Sequence, residues 1–316
     1  MGLDIESVRL LLAVQQYGSL GAAARSLSIS QPAASARLRS MEARHGLRLV
    51  ARSPRGSMLT EDGEAVCTWA ADLMNELAGL EAGVDALSAR RRGDLLIAAS
   101  LTIAEYLMPR WLAKLQRELP DVHAGLRVVN STDVVAMVRD GRVHIGFIEG
   151  PTAPNGLHMQ QVGSDRIAVV VRPDHPWAWV AGGHAQPVTA GELAATALVL
   201  REPGSGTRKT FVRALGAEPN VALEAGSTSA LIGAALNGVG PAVVSEVAVR
   251  TAFADGSLVD VPVALDLHRP LRAVWRASER LRSPASELVA IASRPLPRPD
   301  LTLRFPRKRG GISYKE

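Results

Sequence analysis

The sequence predicts an α/β protein with a helical N-terminal segment, one long connecting helix and a C-terminal region of alternating strands and helices. Three patterns lead to this prediction. Residues 20–39 repeat apolar side chains at helical spacing, an apolar seam occupies residues 66–87, and short apolar strands alternate with helices after Asp94. A chain of 316 residues with 47% hydrophobic content can bury the cores of two or three domains.

Residues 20–39 have the pattern of a helix-turn-helix. Ser28-Ile29-Ser30 interrupts an Ala-rich helix, Ser30 is a good N-cap for a second helix, and Pro32 fits its first turn. The second helix presents polar side chains that can hydrogen-bond base edges and phosphates in a major groove. An ordinary helical hairpin with solvated arginines is the alternative. The residues predicted here to contact DNA are Ser30, Gln31, Pro32, Ser35, Arg37 and Arg39.

The net positive charge of the chain is concentrated in the segment that contains this hairpin. Residues 1–60 hold eight arginines against three acidic residues, whereas the rest of the chain has 28 basic and 28 acidic residues. A phosphate-binding surface requires such an excess, which favours the DNA-binding interpretation. Residues 52–57 form a basic Pro/Gly loop suited to the wing of a winged helix-turn-helix, so Arg52 and Arg55 are predicted to contact phosphates or the minor groove.

A long helix follows, with Thr60 as its predicted N-cap. Its apolar residues alternate steps of four and three, which is a heptad seam. This pattern predicts a dimerisation helix, and packing against its own domain is the alternative. Arg90-Arg91-Arg92-Gly93 ends the helix and begins a linker. The residues of the seam are Val66, Ala70, Leu73, Leu77, Leu80, Val84 and Leu87.

Taken together, these motifs resemble those of LysR-type transcriptional regulators. The residues that carry the resemblance are Gly18-Ser19, Ala22-Ala23-Ala24, Ser30-Gln31-Pro32-Ala33, Ser35, Glu42, Gly46, Arg52, Leu59-Thr60 and Gly63. A weaker resemblance extends from Leu3 to Pro295, while Ala36 and Val50-Ala51 depart from the family pattern. The resemblance implies a C-terminal effector-binding domain of two lobes joined by crossing strands, like a periplasmic binding protein. It also implies a homodimer or a homotetramer built as a dimer of dimers.

The predicted boundaries follow these changes in pattern. They are 1–60 for the winged helix-turn-helix, 61–92 for the dimerisation helix and hinge, 93–295 for the effector-binding domain, and 296–316 for a basic, disordered tail. Lobe one is expected at 94–164 and 268–295, and lobe two at 165–267. Strands are expected at 95–99, 126–129, 143–148, 167–171, 197–200, 221–224 and 242–244. Helices are expected at 103–118, 134–140, 190–193, 207–215, 228–237 and 246–254.

Three predicted turns between a strand and a helix carry hydroxyl side chains, and these turns are where open α/β sheets bind ligands. Ordinary N-capping is the alternative for each turn. Helix N-termini, hydroxyl groups and arginines together favour a small anionic or carboxylate-bearing effector. The predicted effector residues are Ser100, Thr102, Arg201, Glu202, Ser205, Gly206, Thr207, Arg208, Ser227 and Thr228. Glu149 either faces the same cleft or is solvated, and Glu202 is expected to turn away from the anion or pair with an arginine.

Enzymatic and membrane functions have little support in the sequence. The run 204–206 is neither a Gly-x-Ser-x-Gly motif nor a P-loop, and the histidines lack metal-ligand spacing, so no catalytic residue, metal or cofactor is predicted. Cys67 is the single cysteine, which excludes an internal disulfide bond. Neither a signal peptide nor an apolar stretch of membrane-spanning length is evident, so a cytoplasmic location is expected.

The predicted function is therefore a DNA-binding transcriptional regulator whose promoter binding responds to a small effector. The expected partners are double-stranded promoter DNA, the effector, further copies of the chain and RNA polymerase, but no membrane. Two alternatives remain open at this point. One is a small-molecule-binding protein or enzyme of the same two-lobed fold without a DNA function, and the other is a DNA-binding protein that needs no effector.

Overall fold

The computed structural model describes residues 3–53, 56–181 and 186–294. The chain forms two compact units. The first unit comprises the chain up to Ser88 together with Asp140–Arg142, and the second comprises the remainder.

The first unit is helical, with one small hairpin. Its elements are α1 (Ile5–Tyr17), α2 (Leu20–Ser26), α3 (Gln31–His45), β1 (Val50–Ser53), β2 (Gly56–Leu59) and α4 (Glu61–Arg92). Ser19 and Ser30 cap α2 and α3, because their hydroxyls accept the backbone N–H groups of Ala22 and Ala33. Apolar faces of α1, α2 and α3 share one core that includes Leu11, among others. The predicted helix-turn-helix is thereby confirmed.

The hairpin β1–β2 is antiparallel and pairs Val50 with Leu59. Pro54 and Arg55, at the tip of the predicted wing, lie outside the described residues. The start of α4 lies close to the backbone that precedes β1, since a Cβ at Gly63 would be 2.1 Å from the Leu49 carbonyl oxygen. Glycine is therefore the one residue type that fits position 63 without a backbone shift.

Helix α4 has 32 residues and carries the predicted apolar seam. Ala70 is buried, whereas Leu73, Leu80, Val84 and Leu87 are 51%, 66%, 54% and 59% exposed. These side chains lie at helical spacing on one stripe, and the described part of the chain leaves them exposed to water.

The second unit alternates strands and helices. Its strands are β3 (Leu95–Ala99), β4 (Ala124–Val128), β5 (Ile145–Glu149), β6 (Leu157–Val171), β7 (Leu198–Arg201), β8 (Val221–Ala225), β9 (Ala242–Ser245), β10 (Val259–Val261) and β11 (His268–Arg276). Its helices are α5 (Leu101–Tyr106), α6 (Met108–Glu118), α7 (Ser131–Arg139), α8 (Ala178–Ala181), α9 (Ala190–Ala195), α10 (Gly206–Leu215), α11 (Thr228–Leu236), α12 (Glu246–Ala254) and α13 (Ala285–Ala292).

Among the described residues the main sheet has the strand order β4-β3-β5-β11-β6-β9-β7-β8, with β10 paired to β6. The outer strands pair in parallel within each half, β3 with β4 and β5, and β7 with β8 and β9. The long strands β6 and β11 run antiparallel between the two halves. Separate apolar cores pack on the two halves. The structure thus has two lobes joined by crossing strands, as the resemblance implies.

Two parts of the sequence-based assignment were wrong. The single helix expected at 103–118 is two helices, because Pro109 in the first turn of α6 lacks an N–H and its ring crowds the carbonyl of residue 105. The strand expected at 167–171 is only the last third of β6, whose first part mixes polar and apolar residues. Strands β10 and β11 and helices α8 and α13 were not predicted at all.

Among the helices described, none is both long and apolar enough to cross a membrane. Within the same part of the chain, no group of three or more histidine, cysteine or acidic side chains is placed to hold a metal ion.

Candidate functional site

The exposed face of α3 carries most of the polar residues singled out in the first unit. Gln31, Pro32 and Arg39 are exposed and Ser35 is half-buried. The opposite face is buried through Ala34, Leu38 and Met41. Because Ser30 caps the helix, the side chains that follow it are held on a rigid element.

The predicted arginines of this unit differ in their surroundings. Arg37 is half-buried, with its Nη1 atom 3.7 Å from Oε2 of Glu6 on α1. Such a partly exposed ion pair is screened by water and leaves the guanidinium able to exchange partners. The backbone of Arg52 belongs to β1, whereas its side chain and the whole of Arg55 lie outside the described residues.

In the second unit, loops of the two lobes meet directly. The Thr132 hydroxyl donates to the Gly204 carbonyl at 3.1 Å and accepts from Nζ of Lys209 at 2.6 Å. A second bridge joins Nη1 of Arg213 to the Pro151 carbonyl at 3.2 Å. The cleft between the lobes is closed at this edge by contacts of the chain with itself.

Gly206 makes this close approach possible. A Cβ at this position would lie 2.0 Å from the Glu149 carbonyl oxygen, so the first turn of α10 packs against the end of β5 without room for a side chain. The Ser131 hydroxyl also donates to the Glu149 carbonyl, at 3.0 Å. The backbone around Glu149 is therefore fixed from both lobes.

The floor of the cleft contains Arg269, a fully buried arginine on β11. Its Nε and Nη2 atoms donate to Oδ2 of Asp165 at 2.9 and 2.6 Å. Nη1 donates to the Thr207 hydroxyl at 2.9 Å, and Nη2 also donates to the Thr102 hydroxyl at 3.3 Å. Oε1 of Glu149 lies 3.2 Å from Nη1. Arg269 thereby links both lobes and both carboxylates, and we call these residues the Arg269 cluster.

Glu149 is only 3% exposed, so the alternative that it is solvated was wrong. Its Oε1 atom accepts from the Thr102 hydroxyl at 3.0 Å, whereas its Oε2 atom has no partner among the described residues. Burial raises the pKa of Glu149, the positive charge of Arg269 opposes this rise, and the negative charge of Asp165 adds to it. The buried hydroxyl of Ser100 likewise has no hydrogen-bond partner in the described structure.

The cations expected to attract an effector already have carboxylate partners. Arg201 is buried and donates to both carboxylate oxygens of Glu202, at 2.8 and 2.9 Å. This confirms the expectation that Glu202 pairs with an arginine. Arg208 donates to a carboxylate oxygen of Glu224 and, at 3.0 Å, to the Arg201 carbonyl. Neither guanidinium is left as an unpaired charge for a ligand.

The remaining predicted effector residues have structural contacts of different kinds. Ser205 caps α10 by accepting from the Thr207 N–H at 3.2 Å, as the N-capping alternative expects. Ser227 is half-buried and its hydroxyl pairs with that of Ser229 at 2.7 Å, while Thr228 is buried in the first turn of α11. The Arg269 cluster thus brings together Thr102, Glu149 and Thr207 from the predicted set.

Sequence reasoning missed Arg269, Asp165 and Ser245, whose hydroxyl donates to both oxygens of Asp165 at 3.0 and 2.8 Å. Arg269 and Asp165 are cross-strand neighbours where β6 and β11 pair. Asp165 is the first residue of the predicted lobe two, and Arg269 is the second residue after the predicted return to lobe one. Opposite charges at these two crossovers were the sequence signal that could have identified the pair.

Comparison with known proteins gives consistent results for both units. The family described as "Bacterial regulatory helix-turn-helix protein, lysR family" matches residues 5–64, and the family described as "LysR substrate binding domain" matches residues 88–295. The chain is 43% identical over 282 residues to the uncharacterized HTH-type transcriptional regulator Rv2282c of Mycobacterium tuberculosis, covering 84% of this chain and 88% of that protein.

Solved structures share the fold at lower identity. Full-length CbnR complexed with its target DNA has a TM-score of 0.57 and 20% identity, covering 92% of this chain and 99% of that one. The regulatory domain of Synechocystis CcmR in complex with 2-PG has a TM-score of 0.56 and 22% identity, covering 64% of this chain and 96% of that one.

Proposed function

This chain belongs to the LysR family of bacterial transcriptional regulators, and we propose that it binds promoter DNA as an oligomer through α3 and responds to a small anionic effector in the cleft of its second unit. The observation that carries the effector proposal is the closed cleft around the Arg269 cluster, where two buried polar atoms have no partner. In this proposal the chain has no catalytic activity, and its functional segments are 1–60, 61–92 and 93–295.

The exposed face of α3 and the excess of arginine in residues 1–60 support the DNA contacts. Gln31, Ser35 and Arg37 are proposed to contact base edges, because they follow the N-cap of the helix that would enter the major groove. Arg39, Arg52 and Arg55 are proposed to contact phosphates. In the solved CbnR complex a protein of the same fold is bound to its target DNA.

Replacing Gln31 with alanine is expected to reduce discrimination between the operator and single-base variants by about 1–3 kcal/mol at the base pair that Gln31 contacts. The reason is that a glutamine amide forms paired hydrogen bonds with one base, which alanine cannot form. Competition binding to a set of operator variants measures the loss. Gln16→Ala, an exposed glutamine on α1, is the control. Unchanged discrimination in Gln31→Ala would contradict the assignment.

The effector proposal rests on Ser100 and its surroundings. Buried polar atoms in proteins nearly always have a hydrogen-bond partner, supplied by the protein, by water or by a ligand. The Ser100 hydroxyl is buried, lacks such a partner and precedes α5, so it is free to donate to a ligand oxygen. CcmR binds 2-PG in a regulatory domain of the same fold. We propose that Ser100, Thr102, Glu149 and the 201–208 loop form the effector site, with Ser227 and Thr228 at its edge.

A screen of metabolites by thermal shift tests this site. Anionic compounds that bind the folded protein are expected to raise its melting temperature, with about 2.7 kcal/mol of stabilisation at 100 times the dissociation constant. Ser100→Ala should abolish most of this shift, because it removes the proposed donor to the ligand. The unliganded variant should stay stable, since the Ser100 hydroxyl has no hydrogen bond to lose within the described structure. Ser257→Ala, in the same unit, is the control. Stabilisation by cations or apolar compounds alone would refute an anionic effector.

Oligomer formation is proposed for α4. The exposed leucines of the seam have no cover within the described chain, and an apolar stripe of this length favours burial against a second helix. Paired DNA-binding units would then contact two half-sites, and the bound complex could contact RNA polymerase.

A further inference from the structure

The Arg269 cluster contains more buried negative than positive charge if all its groups are ionised. It holds two carboxyl groups, Glu149 and Asp165, and one guanidinium. The guanidinium donates twice to Asp165 and once to each of two threonine hydroxyls, so most of its hydrogen bonds are not made with Glu149. Burying an excess charge is costly, and ionisable groups in such places usually become neutral instead.

The groups around Glu149 offer little compensation for a negative charge on its side chain. Gly206 of α10 packs against Glu149 without a side chain, and the Thr207 hydroxyl of the same helix accepts from Arg269. Thr102 of α5 donates to Oε1, and Ser131 of α7 contacts only the backbone of Glu149. Asp165 of β6 repels a negative charge on Glu149. Arg201 of β7 attracts it weakly, since both carboxylate oxygens of Glu202 already hold that guanidinium. On β11, Nη1 of Arg269 lies 3.2 Å from Oε1 of Glu149, whereas Arg272 donates to the Gly150 carbonyl at 2.8 Å.

We propose that Glu149 carries a proton at neutral pH when the cleft is closed, and that its Oε2 atom donates the resulting hydrogen bond to an oxyanion of the effector. The protonated cluster is electrically neutral, with one guanidinium and one carboxylate. The O–H group on the otherwise unpartnered Oε2 atom then supplies a donor in a place where the sequence alone suggested only an acidic side chain. The first half of this proposal concerns the protein alone, and the second half rests on the proposed effector function.

Protonation of Glu149 makes both the stability of the protein and its affinity for the effector depend on pH. Burial raises the pKa of Glu149 above its value in the unfolded chain, so its contribution to stability is complete at low pH and is lost as pH rises through the raised pKa. An oxyanion that accepts from Oε2 requires the same proton. Its affinity is therefore expected to fall by up to about tenfold for each pH unit above that pKa.

Infrared spectroscopy of the full-length protein without effector tests the proton directly. At pH 7 exposed carboxyl groups are ionised, so a carbonyl band of a protonated carboxyl group reports a buried acid. This band is expected in the wild type and is expected to disappear in Glu149→Gln. Glu118→Gln, which changes an exposed glutamate paired with Arg294, should retain it. The absence of the band in the wild type, or its survival in Glu149→Gln, would overturn the proposal.

A second variant covers the case in which Glu149→Gln does not fold. Asp165→Asn removes the repelling carboxylate and makes Arg269 available to pair with Glu149. Both changes lower the pKa of Glu149, so the infrared band should disappear at a lower pH than in the wild type. A band that titrates at an unchanged pH would contradict the charge argument.

The effector half is tested by calorimetric titration at pH 6 and pH 8 with the anion that gives the largest thermal shift in the screen. Tighter binding at pH 6 than at pH 8, with no such difference in Glu149→Gln, supports a hydrogen bond donated by protonated Glu149 to the effector. Equal affinity at both pH values overturns it. A screen without a stabilising anion refutes the effector proposal, and the infrared band still decides whether Glu149 is protonated. A cationic ligand whose binding removes the band would show that Glu149 acts as an acceptor and would overturn the donor role.

Discussion

Replacing Arg269 with methionine is expected to lower the free energy of unfolding of the second unit by about 3–5 kcal/mol. Methionine fills much of the same volume, so the expected loss comes from the charge rather than from a cavity. Without the guanidinium, Asp165 and the buried Glu149 lose the cation that lies between them, and the hydroxyls of Thr102 and Thr207 lose a donor. Urea unfolding followed by tryptophan fluorescence measures the loss, since Trp111 lies in the core of this unit.

Two further variants test whether the loss of stability is specific to the buried charge of Arg269 or follows from replacing any arginine. Arg294→Met removes an exposed arginine 3.3 Å from Glu118 and should cost less than about 1 kcal/mol. Adding Glu149→Gln and Asp165→Asn to Arg269→Met should recover part of the lost stability, because no uncompensated buried charge remains. A loss below about 1 kcal/mol for Arg269→Met alone would show that the cluster does not hold the lobes together.

The sequence was informative wherever local chemistry decides the structure. Ser19 and Ser30 are caps because of their own hydroxyls, and Pro32 fits the first turn of α3 without losing a hydrogen bond. The alternation of strands and helices likewise locates most elements of the second unit within a few residues. These features depend on neighbours within one or two helical turns, which a single sequence displays.

The floor of the cleft depends on tertiary contacts that a single sequence does not display. The first part of β6 and the whole of β11 are stabilised by pairing with each other, so neither needs a continuous apolar run. Arg269 could not be distinguished from a solvated arginine until that register was known. The burial of Glu149 follows from its place at the end of a fully buried strand and from the approach of Gly206.

The apolar seam of α4 leads to the second large effect. Leu73 and Leu80 are seven residues apart on one stripe, and both are more than half exposed in the chain. A partner helix that covers them would exclude water from both side chains, and an aspartate there would become an unpaired buried charge. Opposite this stripe, Ala71 and Ala78 have the same seven-residue spacing and are also exposed. They provide a control that adds the same charge to the same helix.

The variant Leu73→Asp/Leu80→Asp is expected to dissociate the oligomer, because two buried aspartates in each chain cost about 2–5 kcal/mol in total even after partial solvation. Light scattering should report the mass of a single chain, while Ala71→Asp/Ala78→Asp keeps the wild-type mass. Operator affinity should fall by at least about tenfold only in the leucine variant, since a single DNA-binding unit keeps one half-site of a two-fold operator. The same mass and the same footprint in both variants would show that α4 does not form the interface and that its exposed leucines have another role.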